Sequence, residues 1–387
     1  MTYCRICGEY ECKKHSFLIG KRREISEFSG SSPPEVFVGR WNYPNVYAGI
    51  LSPEEYGNTA IMSSAEEWYA KKLGIRDVIN LRNRLIYGRM QSNIKRAAVG
   101  NRFLSVLQEV AMTSKSIASE FKLKKPIMKN EERESRVPLI SNAGEVERVR
   151  LQENPKIEKK VEYLVSDSDV KSKDALLELE RAGIGTSNMI KLLSAGLLGL
   201  RKNRKLVPTR WSISAVDSNL SEEKIKKIRY YPEIQEYRVF SDEYLGNHYE
   251  ILLIPRFWSF EVIEISLKNF GVWKDFESIF KRKSYADSVT GAYYANRLGV
   301  CEYLEKIKRQ ASVLIFREIR PEYYSPLGVG ILRETTRSAM GKEPRRFDTL
   351  QDALNDIQSR LRIDVNRYLK ESQLMKELRQ KSLARFL

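Results

Sequence analysis

The run Tyr249-Glu-Ile-Leu-Leu-Ile-Pro-Arg-Phe-Trp-Ser-Phe-Glu-Val-Ile-Glu-Ile265 holds two short segments, Tyr249 to Ile254 and Trp258 to Ile265, crowded with β-branched and aromatic residues. Such segments suit a pleated, packed surface and predict two strands. Trp211 to Val216 and Tyr237 to Phe240 read the same way, and a further strand is expected at Val313 to Ile319. Helical patterns lie on both sides. Ser63-Ser-Ala-Glu-Glu67 supplies a capping serine and first-turn acids to a helix closed at Gly74. Phe103, Leu104, Leu107, Val110, Ala111, Ile117, Ala118 and Phe121 keep a broadly helical spacing, which predicts one amphipathic helix over 101–121. A helical pair is expected at 174–200, with helices at 291–309, 349–361 and 364–380. The charge-rich stretch 122–173 reads as a long exposed excursion able to hold an edge hairpin. No internal repeat is evident, so the expected class is α+β, with mixed sheets, flanking helices and a helical C-terminus.

Charge narrows the partners. The 387 residues carry 67 Lys and Arg against 50 Asp and Glu, a net charge of +17. An excess of this sign favours a polyanion, because each neutralised phosphate releases condensed counterions. An ion-rich surface of the thermophile kind would account for the abundance of charge but not for its sign. No apolar run approaches the roughly 20 residues of a membrane span, and no apolar leader follows Met1. The expectation is a cytoplasmic, nucleoid-associated protein without a membrane partner.

Three of the four cysteines and one of the two histidines fall in Cys4-x-x-Cys7-x4-Cys12-x-x-His15. Two ligand pairs, each spaced by two residues, can close a tetrahedral zinc site, and four filled positions suit a structural ion. A small zinc knuckle over 1–20 is therefore expected; free thiols are the alternative. The last residues, Gln380-Lys-Ser-Leu-Ala-Arg-Phe-Leu387, match the peptide that binds the sliding clamp (PCNA). A 3₁₀ turn eclipses side chains three apart, so Leu383 and Phe386 can enter one apolar pocket. Leu387 widens that plug and Gln380 supplies a directional hydrogen bond outside it. Leu387 stands where a second aromatic is usual. The plainer reading is an apolar cap on a terminal helix.

Gly183-Ile-Gly185 between two helices, followed by Leu200-Arg-Lys-Asn-Arg-Lys-Leu-Val-Pro-Thr-Arg210, resembles a helix-turn-helix over 174–210 with a basic wing. Arg201, Lys202, Arg204, Lys205 and Arg210 are its candidate DNA contacts, against the alternative of a solvated basic loop. Near the predicted strands, Asp217, Glu250, Glu261 and Glu264 could gather as a metal-binding acidic site, although their spacing does not select that over separate charges. Cys301 reads as a small core residue. Walker A, GxSxG and HExxH motifs are missing, which disfavours ATP-driven and common hydrolase chemistry.

The segment Pro33-Pro-Glu-Val-Phe-Val-Gly-Arg-Trp-Asn-Tyr-Pro-Asn-Val-Tyr-Ala-Gly49 follows the cysteine cluster, and Val207-Pro-Thr-Arg-Trp-Ser-Ile-Ser-Ala-Val-Asp217 follows the basic run. With the terminal peptide, they resemble the Nre family of archaeal DNA-repair proteins over nearly the whole chain. The resemblance implies repair of damaged DNA through the sliding clamp and brings no catalytic residue. Within the first segment, a strand ending at Gly39 could present Arg40 to a phosphate with Trp41 or Tyr43 stacked on a base; a structural turn with buried aromatics is equally open. The expected organisation is a knuckle at 1–20, a main α+β domain at 33–270, a C-terminal α+β region at 271–370 and the clamp peptide at 380–387. The expected function is a DNA-repair factor held at the clamp, with nuclease or lyase activity open. The alternative is a non-catalytic adaptor joining the clamp to other repair proteins.

Overall fold

The computed structural model describes residues 23–129 and 142–379. The chain divides into two compact units. One runs up to Val216 and includes Tyr324–Gly328; the other holds Asp217–Tyr323 and the chain from Val329 onward.

The first unit is built on a six-stranded mixed sheet of β1 (Arg23–Ser32), β2 (Val36–Val38), β3 (Asn45–Ser52), β4 (Ile86–Asn93), β5 (Ile117–Lys129) and β6 (Ala143–Leu151). Their order is β1-β5-β6-β4-β3-β2, antiparallel except where β6 runs parallel to β4. Helices α1 (Ala65–Ala70), α2 (Ile75–Asn83), α3 (Arg102–Met112), α4 (Lys159–Ser166), α5 (Ser172–Arg181) and α6 (Thr186–Ser194) complete it. Helix α7 (Thr209–Ile228) starts in this unit, and the division falls inside it.

Several sequence expectations change here. Ser64 does cap α1, accepting from Glu67 N at 3.1 Å, but Gly74 opens α2 instead of closing α1. The helix expected over 101–121 ends at Met112, where Thr113 turns extended. Beyond it Ile117, Ser119, Phe121 and Leu123 are buried on alternate positions, the period of a strand. Ile117, Ala118 and Phe121 had fitted a helix only because three residues cannot separate the two periods. The β5–β6 hairpin is likewise real, but it lies inside the sheet, not at its edge. Trp211 to Val216 is helical. Buried Ser212, Val216, Leu220, Ile225 and Ile228 carry a helical spacing through α7 that a six-residue window cannot show.

The second unit has the mixed sheet order β10-β9-β11-β8-β7-β12, with β7 (Tyr237–Tyr244), β8 (Asn247–Ile254), β9 (Ser259–Ser266), β10 (Val272–Glu277), β11 (Ser312–Ile319) and β12 (Arg345–Phe347). The run from Tyr249 to Ile265 supplies most of two of the three most buried strands, β8 and β9. Tyr249, Ile251 and Leu253 of β8 face a core shared with α7, α8 (Gly291–Ile307) and α9 (Val329–Met340). Leu252 and Ile254 face the opposite core, with α10 (Leu350–Gln358), α11 (Val365–Glu371) and α12 (Gln373–Arg379). Helices therefore cover both sheet faces, which is why these strands read as continuous apolar runs. The helix expected at 364–380 is two helices, broken at Ser372. Cys301 is buried in α8, and its burial pushes the thiol up.

Candidate nucleic-acid interface

In the first unit β2 and β3 form a hairpin whose tip carries Arg40, Trp41 and Tyr43. The tip is held from several directions. Gly39 N donates to Tyr47 O at 2.8 Å and Asn45 N to Asn42 O at 2.7 Å, while Asn42 takes φ 62°, a value asparagine tolerates. The Tyr43–Pro44 peptide is cis, and Pro44 O accepts from Ile94 N at 3.0 Å. Asn93 Nδ2 donates to Asn45 Oδ1 at 3.0 Å. The buried Tyr87 hydroxyl lies 3.1 Å from Phe37 O and 3.2 Å from Tyr47 O, fastening the hairpin's two strands together.

The start of α7 is fixed to the same place. Val38 N donates to Thr209 Oγ1 at 2.9 Å. Pro208 precedes the helix and its carbonyl accepts from Trp211 N at 2.8 Å, as suits a proline at a helix start. Trp211 then meets Tyr43, with ring centroids 5.2 Å apart and planes tilted by 54°. The aromatics stay outside the core. Trp41 is 74% exposed, Tyr43 44% and Trp211 45%. Arg40 lies over the Trp41 ring at 4.6 Å, and farther along the sheet Arg89 lies over Tyr47 at 4.1 Å.

Arg40 and Arg210 are exposed at this tip, as are Lys95 and Arg96 on the turn anchored through Ile94. Among the described residues none of these four cations forms an ion pair. The sheet's other cations are mostly spoken for: Lys122 with Glu147, Lys124 with Glu145 and Arg150 with Glu120. A tip with unneutralised cations beside exposed rings has the make-up of a surface that follows a phosphate backbone and stacks on bases.

The structure thus brings Arg40, Trp41, Tyr43 and Arg210 together. Arg201, Lys202 and Lys205 are exposed around a short 3₁₀ turn at Arg201–Asn203, on the segment whose Leu206 N donates to Ile94 O at 2.9 Å. Arg204 points inward and donates to the carbonyls of Gly199, Val165 and Asp167. Its burial, with the charge of nearby Arg201, lowers its pKa. The α5–turn–α6 pair is present, with Gly183 at φ +79°, but α6 buries Thr186, Met189, Ile190, Lys191, Leu192 and Ser194. Little of that helix is left to enter a groove. Trp211, Lys95 and Arg96 are residues near this tip that sequence reasoning missed. The Pro208-Thr209 pair was the available signal, since it marks a helix start one residue before Arg210.

The acidic set does not gather. Asp217 is gripped by Arg333, Nε to Oδ1 at 2.9 Å and Nη2 to Oδ2 at 2.7 Å, while burial raises its pKa. Burial would also raise Glu250, but hydrogen bonds from His248, Arg360 and Ser241 outweigh it and hold the pKa down. Glu261 caps α12 through Ser372 Oγ, Gln373 N and Leu374 N. Glu264 pairs with Arg317 at 2.6 Å. Each carboxylate has its own partner, and among the described residues no group of three or more His, Cys, Asp or Glu could hold a metal. The expected zinc ligands Cys4, Cys7, Cys12 and His15 lie outside the described residues, as do Gln380, Leu383, Phe386 and Leu387. Among the described residues no helix is long and apolar enough to cross a membrane.

Comparison with known proteins gives the lineage. Residues 2–274 match the model for the N-terminal domain of archaeal Nre, and residues 277–386 match its C-terminal domain. The chain belongs to the Nre family. It is 35% identical over 390 residues to DNA repair protein NreB of Archaeoglobus fulgidus, covering 99% of this chain and 97% of that one. DNA repair protein NreA of the same organism is 37% identical, covering 92% of this chain and 91% of the relative. NreA of Haloferax volcanii is 32% identical, covering 87% and 83%. No solved structure matches the chain.

Proposed function

We propose that this Nre protein is a DNA-repair factor that binds DNA through the β2–β3 hairpin tip and the start of α7, and is held at the sliding clamp by residues 380–387. The observation that carries the DNA reading is the cluster, around Trp41, Tyr43 and Trp211, of four cations that form no ion pair among the described residues. The relatives, DNA repair proteins NreA and NreB, supply the repair context. Charge reversal at Arg40 and Arg210 tests the DNA contact directly.

The clamp contact rests on the spacing of Gln380, Leu383, Phe386 and Leu387. A chain ending at Arg379 is expected to lose clamp binding in a calorimetric titration while melting at the same temperature; full affinity after truncation would refute the assignment. Cys4, Cys7, Cys12 and His15 offer thiolate and imidazole donors, a set suited to one structural zinc ion. Metal analysis of the purified protein should then return about one zinc per chain, and metal-free, folded protein would count against it.

Non-catalytic adaptor action is the second reading. It is favoured by Asp217, Glu250, Glu261 and Glu264, each engaged by cations or backbone amides instead of facing a shared site.

A further inference from the structure

We infer that the hairpin tip selects unpaired bases, so that this protein prefers DNA with a single-stranded stretch over intact duplex. The inference rests on the reading that DNA lies on this surface, and deepens it by naming the substrate class.

The geometry of the rings carries the argument. Trp41 is the most exposed of the tip aromatics at 74%. Arg40 lies against its ring at 4.6 Å, which leaves the opposite ring face for a second planar group. An arginine, an indole and a base can then form one stack. Tyr43 and Trp211 meet at 54°, so neither ring covers the other's face as a parallel stack would. These side chains project from backbone fixed by the bonds Gly39 N to Tyr47 O, Ile94 N to Pro44 O and Val38 N to Thr209 Oγ1. Such a platform is ordered before the ligand arrives, and little ordering cost remains to be met on binding.

What the platform can stack against follows from DNA itself. In a duplex the base faces are covered by their neighbours, and a protein reaches only base edges in the grooves. A ring face meets a base face where the base is unpaired or has been extruded. Cations alone would not make this distinction, because Arg40, Lys95, Arg96 and Arg210 can follow the phosphates of either form. Exposed rings beside those cations add the selectivity. A protein partner would also bury exposed rings, but it would require acidic groups to answer four cations, whereas a nucleic acid brings them in its backbone.

Fluorescence anisotropy with the full chain tests this, using labelled oligonucleotides of one sequence as a single strand, a blunt duplex and a duplex with a central gap. The single strand and the gapped duplex are expected to bind more tightly than the blunt duplex. Trp41→Ala should weaken those two by roughly 5- to 100-fold and change blunt-duplex binding by less than about twofold. Trp41→Phe, which keeps a ring, should recover most of the loss, and an unchanged melting temperature shows that the variants fold. Equal wild-type affinity for all three DNAs, or an equal loss on all three in Trp41→Ala, would overturn the inference and leave DNA binding standing. Tighter binding to RNA of the same sequence would overturn it too. Failure of the wild type to bind any of them would remove the underlying DNA reading as well.

Discussion

Lys191 on α6 is buried, and its ammonium donates to Thr113 O at 3.2 Å. Burial pushes its pKa down from 10.5 to about 7, against the opposing pull of Glu35 and Glu66. The unfolded chain keeps this proton up to the ordinary lysine value, while the native state gives it up near 7. Between those limits the unfolded state binds more protons, so stability rises with pH. Lys191→Met should lose that slope: in denaturant titrations from pH 7 to 10 the stability of wild type relative to the variant should rise steadily with pH. A gap independent of pH would contradict the assignment. Nothing in the sequence singles out Lys191, because its burial depends on the tertiary packing of α6. The same limit applied to the acids. Asp217, Glu250, Glu261 and Glu264 were visible as acids near predicted strands, but their partners Arg333, Arg360, Ser372 and Arg317 lie 53 to 116 positions away in the chain.

Elements were legible where one period ran long enough to exclude the other. Strands β8, β9 and β11 and helix α8 fall close to their expected positions, since each apolar run is bounded on both sides. Helix α7 was hidden by its first turn, where Trp211-Ser-Ile-Ser alternates by residue type like a strand. Strand β5 was hidden by the helix before it. The pairing of β3 with β4 shows a different kind of constraint. A Cβ on Gly49 would stand 2.3 Å from Gly88 O and 2.6 Å from the Tyr87 ring. Gly49→Ala must therefore push β4 away or move the Tyr87 hydroxyl that holds the hairpin together. The expected cost is about 1–3 kcal/mol, in line with overpacking of a filled site, read as a lower denaturation midpoint. An unchanged midpoint would mean that the hairpin is looser than these contacts require.

At the scale of the whole molecule, the net charge of +17 favours a polyanionic partner but says nothing of where one would bind. Many cations are neutralised by carboxylates distant in sequence, and only the fold shows which remain unpaired among the described residues. Arg40, Trp41 and Tyr43 were legible as a candidate because aromatics and a cation crowd one turn. Their neighbours Arg210 and Trp211 come 167 or more positions later and reach them through the Thr209 anchor. The most direct test of this interface is a DNA titration at several salt concentrations with wild type and the double variant Arg40→Glu, Arg210→Glu. Both residues are exposed, so the melting temperature should hold. Affinity should fall about tenfold or more, and the slope of log K against log salt should become shallower by about two, one for each lost phosphate contact. Wild-type affinity and an unchanged slope in the double variant would show that DNA does not lie on this surface.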